Sequence, residues 1–288
     1  MAFLTPDQTT AAAANSGAAK GKMSVDKMLI GGFLAGAYIA FGGLLAIVCS
    51  SGLDPAQWGG IIALITGAVF PVGLMLVVIA GAELLTGNMA LVPLAAMWRK
   101  LSWMQVSTNM LWVLVGNLAG SLFVAYFLAY KTGVVGSFNV DPTKISATGV
   151  REIAIATGKG LKETDSQIFF RAIGCNWLVC LAVWLAISAK DVVGKIFGIW
   201  FPILAFVSLG FDHVVANMFF LPLGMFVNTP GLSWGDVVNN WVFAFLGNFI
   251  GAGVFVASVY YYLHLRGREE AEFAEELPAP AFSPGGQD

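Results

Sequence analysis

Two polar islands interrupt long apolar stretches of the chain, and their residue types suit the handling of a small ion and a proton. One runs from Phe70-Pro71 to Glu83-Leu84-Leu85-Thr86-Gly87-Asn88-Met89; the other runs from Phe201-Pro202 to Asp212-His213-Val214-Val215-Ala216-Asn217-Met218. Each offers a carboxylate and an Asn-Met pair, and the second adds His213, whose imidazole exchanges a proton near neutral pH. Ionisable groups inside apolar spans are costly and are functional candidates by default. A lone buried histidine is more often a satisfied structural group, but one that follows an acid within a broken span favours a functional role. Glu83 and Asp212 read as caps that accept the backbone N–H groups a helix break exposes. Thr86 can donate to His213 or to a passing anion, and can equally bond its own backbone. Asn176, on an otherwise apolar stretch, needs a partner such as another helix.

The elements that must position these residues are membrane helices. The chain is 58% hydrophobic and only 11% charged, with a mean hydropathy of +0.78, which describes an integral membrane protein rather than a water-soluble globule. A helix needs about 20 apolar residues to cross the hydrocarbon core. Six spans are expected, near 28–50, 59–97, 104–130, 168–189, 195–228 and 236–265, with the second and fifth broken at the polar islands. Continuous apolar runs of this length exclude the alternating strands of a β-barrel. Residues 1–26 form an N-terminal segment, of which Met1–Met23 is Ala-rich and expected to be mobile or to lie on the surface. The six-helix domain covers 27–266. The acidic, Pro-containing tail 267–288 is expected to be disordered.

Basic residues set the orientation. Lys20, Lys22 and Lys27, then Arg99 and Lys100, then Lys190 and Lys195, then Arg266 and Arg268 fall on one side of six crossings, and loops 50–58 and 229–236 carry no Lys or Arg. Both termini are therefore expected in the cytoplasm. The long outer loop, 131–167, carries Lys131, Lys144, Arg151, Lys159 and Lys162 against Asp141, Glu152, Glu163 and Asp165. That is a solvated loop, or a weak electrostatic funnel for anions.

An internal repeat orders the spans further. Phe70-Pro71 and Phe201-Pro202 lie 131 positions apart, Glu83 and Asp212 129, and Gly116-Asn117-Leu118-Ala119-Gly120 precedes Gly247-Asn248-Phe249-Ile250-Gly251 by 131. Spans one to three thus duplicate spans four to six, and an odd number of crossings per copy makes the repeat inverted. In such all-α folds the broken helices meet near the midplane and aim backbone dipoles at a solute.

Gly81-Ala82-Glu83-Leu84-Leu85-Thr86-Gly87-Asn88, Gly174-Cys175-Asn176-Trp177-Leu178-Val179-Cys180-Leu181-Ala182-Val183-Trp184 and Gly210-Phe211-Asp212-His213-Val214-Val215-Ala216-Asn217-Met218 resemble signatures of the formate/nitrite transporter family. The resemblance covers about 27–265. It implies a homopentamer of aquaporin-like protomers in the cell membrane, passing monovalent acid anions such as formate, with nitrite and hydrosulfide as alternatives. By position it makes His213 the central histidine, Thr86 the threonine of the loop in the broken second span, Asn176 a pore asparagine and Lys159, with nearby Lys162 as the alternative, the lysine of the outer vestibule. It builds two constrictions from Phe70, Leu74, Leu84, Leu85, Val179 and Phe206, and leaves Glu83, Asp212, Asn88 and Asn217 as structural residues at the breaks. Leu85 stands where many members have Phe, and Asp212 where many have Glu.

The implied mechanism is proton-coupled. An anion gathered near Lys159 gains a proton, from water or from His213, as the falling dielectric raises its own pKa. A neutral-solute channel would share the inverted repeat, but the paired Asn-Pro-Ala breaks of aquaporins are missing. An enzyme is not expected: there is no His-Glu-x-x-His, and Cys49-Ser50-Ser51-Gly52 lacks the leading glycine of a rhomboid-like nucleophile motif. Cys49, Cys175 and Cys180 form no Cys-x-x-Cys. No metal, cofactor or nucleic-acid partner is expected.

Overall fold

The computed structural model describes residues 3–136 and 145–273. Asp141 and Lys144 of the long loop lie outside the described residues, as does 274–288 of the acidic tail. The described residues form helices and turns. In chain order the helices are α1 (Pro6–Gly21), α2 (Val25–Ser50), α3 (Gly60–Gly81), α4 (Leu85–Met97), α5 (Trp103–Tyr130), α6 (Ala147–Thr157), α7 (Asp165–Ser188), α8 (Val192–Ser208), α9 (Val214–Phe226) and α10 (Trp234–Leu265). Among the described residues α2, α3, α5, α7 and α10 are long and apolar enough to cross a membrane, while α4, α8 and α9 are shorter apolar helices. The expected broken spans are thus the pairs α3–α4 and α8–α9, and the protein is multi-pass.

Each break is made the same way. The chain leaves α3 at Gly81 with φ 86° and leaves α8 at Gly210 with φ 69°, a left-handed backbone that glycine adopts without strain. Three extended residues later a new helix starts. Its first N–H groups have no partner inside the helix and must find one elsewhere, because lipid offers none.

The rods around the breaks pack with almost no side chain between them. A Cβ on Gly120 of α5 would lie 1.9 Å from the Phe33 carbonyl oxygen of α2, and one on Gly251 of α10 would lie 2.4 Å from the Ile173 carbonyl oxygen of α7. Gly120→Ala therefore forces α2 and α5 apart, with an overpacking cost of about 1–3 kcal/mol. Gly60→Ala, with nothing within 4 Å of the added methyl, supplies the control. Thermal denaturation in detergent should drop for the first variant and not for the second.

Both chain ends depart from expectation. Residues 6–21 are neither mobile nor surface-lying: Thr5 and Gln8 close a capping box, and α1 buries Ala13, Ala14 and Gly17. The contact with α4 is so close that a Cβ on Gly17 would stand 1.9 Å from the Leu91 carbonyl oxygen. Small residues here are a packing surface, where the Ala-rich composition had suggested looseness. The start of the tail is also ordered: Trp98 donates its indole N–H to the Arg268 carbonyl at 3.2 Å, and Phe273, 2% exposed, meets the Trp98 ring edge-on. The two ends clasp each other, with Asp7 accepting from Arg268 at 2.7 Å and contacting His264 at 2.5 Å.

Candidate functional site

The orphan N–H groups at the breaks are met by asparagines from neighbouring rods. Leu85 N–H donates to Asn117 Oδ1 at 2.9 Å, and Val214 N–H donates to Asn248 Oδ1 at 2.9 Å. The amide nitrogens of the same asparagines close the other side. Asn117 donates to the carbonyls of Gly32 and Glu83, and Asn248 to those of Ala172 and Asp212. The expectation that Glu83 and Asp212 cap the helices is therefore corrected: a long-range amide does that work, and it can both accept and donate where a carboxylate can only accept.

The two carboxylates instead hold lysines. Lys20 of α1 donates to Glu83 Oε1 at 2.6 Å, and Lys159, just past α6, donates to Asp212 Oδ1 at 2.7 Å. Behind each pair stands the same relay. Asn88 Nδ2 donates to Glu83 and to Asn109 Oδ1, and Asn109 returns a bond to the Lys20 carbonyl. Asn217 Nδ2 donates to Asp212 and to Asn240 Oδ1, and Asn240 returns a bond to the Lys159 carbonyl. Glu83, Asp212, Asn88, Asn217, Asn109 and Asn240 are at most 2% exposed. Buried charges at this depth persist because each is paired and hydrogen-bonded.

The copies differ at the residue that precedes each second helix. Leu84 precedes α4 with no side-chain cap, whereas His213 precedes α9 and its Nδ1 accepts from Ala216 N–H at 3.1 Å. An accepting Nδ1 puts the hydrogen of a neutral ring on Nε2. That hydrogen faces Thr86 Oγ1 at 2.8 Å, which leaves the Thr86 hydroxyl hydrogen for another acceptor. His213 and Thr86 thus join the two breaks side chain to side chain.

Two cavities approach this bond. One, of about 240 Å³, is bordered by Arg151, Lys159, Glu163, Phe70, Phe206 and His213. The other, of about 120 Å³, is bordered by Lys20, Lys195, Leu74, Leu84 and Asn88. Phe70 and Phe206 meet edge-to-face with centroids 5.8 Å apart, and Phe206 lies 5.9 Å from the His213 ring. Leu85 and Val179 line neither cavity and are buried between the helices. Asn176 is not among the residues bordering these two cavities. Its amide donates to the Thr86 and Asn248 carbonyls at 3.1 and 2.8 Å, so it positions the His213 partner.

The family model described as formate/nitrite transporter matches residues 7–262. The chain belongs to the formate/nitrite transporter family. A probable formate transporter of Methanothermobacter thermautotrophicus is 47% identical to it over 274 residues, which cover 92% of this chain and 98% of that protein. Among solved structures, an FNT family ion channel superposes with a TM-score of 0.79 at 31% identity, covering 90% of this chain and 99% of that one. A pentameric formate channel with formate bound superposes with a TM-score of 0.71 at 29% identity, covering 84% and 98%.

In this formate/nitrite transporter family channel, the sequence had left Lys20, Asn109 and Asn240 unassigned. Asn109 and Asn240 stand 131 positions apart, the same offset as Asn117 and Asn248, so the repeat held a signal for them. Lys20 and Lys159 stand 139 apart and lie in unlike segments. No sequence offset pairs them.

Proposed function

We propose that the chain forms a channel for small monovalent acid anions, formate foremost, as a homopentamer in the cell membrane with both termini cytoplasmic and the second half of the repeat inverted. The observation that carries this reading is the Thr86–His213 bond between two cavities, one bordered by Lys159, Phe70, Phe206 and His213 itself, the other by Lys20, Leu74 and Leu84. A bare anion meets a large desolvation cost at Phe70 and Phe206, and a neutral weak acid meets a much smaller one. The cavity with Lys159 is the outer one and gathers the anion by charge. As the solute advances into lower dielectric its own pKa rises and it takes a proton. Beyond the aromatic pair, the Thr86 hydroxyl offers a hydrogen bond backed by the Nε2–H of His213. Leu74 and Leu84 form the second restriction, and the proton is lost again on the Lys20 side. Lipid and protons are partners in this scheme, and the transport names of the relatives favour it over catalysis.

Uptake by liposomes holding the purified protein tests the proposal, with formate, nitrite, hydrosulfide and lactate offered at two external pH values. Formate should enter fastest, and faster at the lower pH. Glycerol-driven swelling without formate uptake would overturn the anion reading. Nitrite or hydrosulfide outpacing formate would keep the class and displace formate.

A further inference from the structure

Glu163, at the end of the turn that carries Lys159, has one partnered and one unpartnered oxygen. Oε1 accepts from Arg171 of α7, while Oε2 is buried with no donor. Asp212 repeats this: Oδ1 accepts from Lys159 and Asn217, and Oδ2 is buried with no donor, on a side chain that is 0% exposed. The two carboxyls lie within hydrogen-bonding reach of each other. Two carboxylates cannot bond; a carboxylic acid and a carboxylate can, through one hydrogen. The groups that face this pair are Lys159 from the turn after α6, Arg171 and the thiol of Cys175 from α7, and Asn217 from α9. Arg151, held by its Nε to Ser50 Oγ at 2.8 Å, and His213 border the same cavity.

We propose that Glu163 and Asp212 share one proton, and that this acid pair makes anion capture at the Lys159 cavity depend on pH. The proposal rests on the anion-channel reading above. Two cations, Lys159 and Arg171, face the two carboxyls, and a third, Arg151, borders the same cavity. With the proton in place one negative charge remains and the mouth carries two net positive charges; without it, one. The Glu163 carboxyl is pushed up to about 7, first by burial and then by the charge and hydrogen bond of Asp212, against the opposing pull of Lys159 and Arg171. The pair is therefore protonated below neutral pH and loses its proton above it. A single charge a few ångströms from the solute changes its affinity on the order of tenfold. Glu152 does not share this behaviour: it borders no part of the cavity, both its oxygens lack donors, and burial holds its carboxyl well above the usual carboxylate range.

Two measurements on the full-length protein in liposomes test the pair. Infrared difference spectra over a pH titration should show the carbonyl stretch of a protonated carboxylic acid disappearing with a midpoint near 7, and Glu163→Gln should lack that transition. With equal pH on both sides, the KM for formate should rise on the order of tenfold across the same range in the natural protein. In Glu163→Gln, whose side chain is neutral at every pH, KM should stay at its low acid value. A damaged mouth would instead bind worse at all pH values. No titrating carboxylic band in the natural protein, or the same band or the same rise of KM in Glu163→Gln, overturns the proposal. Absence of any anion uptake by the natural protein would sink the channel reading instead, and the infrared titration would still decide whether the proton is shared.

Discussion

If the proposed channel reading holds, His213→Phe should lower pH-driven formate uptake by liposomes on the order of a hundredfold, the size of effect that losing one positioned proton-transfer group produces. Phenylalanine fills the ring's volume and keeps the packing against Phe206, but it removes both nitrogens. The Nε2–H no longer backs the Thr86 hydroxyl, and Ala216 N–H loses its acceptor at the start of α9. The second loss is structural, costing about 1–3 kcal/mol for a buried donor left unpaired, so stability and transport have to be separated. His213→Asn separates them. An asparagine oxygen is among the best N-caps and can take the Ala216 N–H, yet the side chain cannot bind a proton in the physiological range. Melting temperature in detergent should recover in the Asn variant while pH-driven uptake stays low. If the Phe variant carries formate at the natural rate with the same pH dependence, His213 has no part in the coupling.

Asn248→Leu is the change expected to cost the fold most. It strips the acceptor from Val214 N–H and the donor from the Asp212 carbonyl at a site with 0% exposure, where water cannot substitute. Leaving several buried groups unpaired costs on the order of 3–5 kcal/mol, a large share of the stability of an ordinary domain. Asn239→Leu provides the contrast, because Asn239 sits on the exposed face and bonds only Asp165 at 2.8 Å; surface changes of that kind stay within about 0.5 kcal/mol. Thermal unfolding followed by circular dichroism should give a far lower midpoint for the first variant. Equal midpoints for the two would mean that the break does not need its amide.

The spans and breaks were legible because lipid imposes a simple rule: long apolar runs cross, and polar islands within them mark backbone that is satisfied some other way. That rule located the turns at Gly81 and Gly210 to within a few residues. It could not say which groups satisfy the breaks, and chemistry by analogy with soluble helices pointed to the adjacent carboxylates. The structure gives that role to Asn117 and Asn248, more than thirty positions further along, which had entered only as landmarks of the repeat. The resemblance placed Asn176 at the pore, whereas its polarity on an apolar helix asked only for a partner on another helix, and its amide holds the Thr86 and Asn248 carbonyls. Lys20 was hidden for a different reason. It belongs to an Ala-rich helix whose attachment comes from close backbone approach at Gly17, and close approach leaves no mark in hydropathy.

One lysine at each cavity already has a counter-ion. Lys20 is held by Glu83 and Lys159 by Asp212, whereas Lys195 bonds only the Ala186 carbonyl and Arg151 the Ser50 hydroxyl; at Lys20 and Lys159 an arriving anion would compete with a resident carboxylate that cannot leave. Each mouth then resembles a bead of weak ion-exchange resin more than a trap. On the proposed reading, binding there would be shallow and quickly reversed, and fast throughput demands both, because a site that holds its ion firmly conducts slowly.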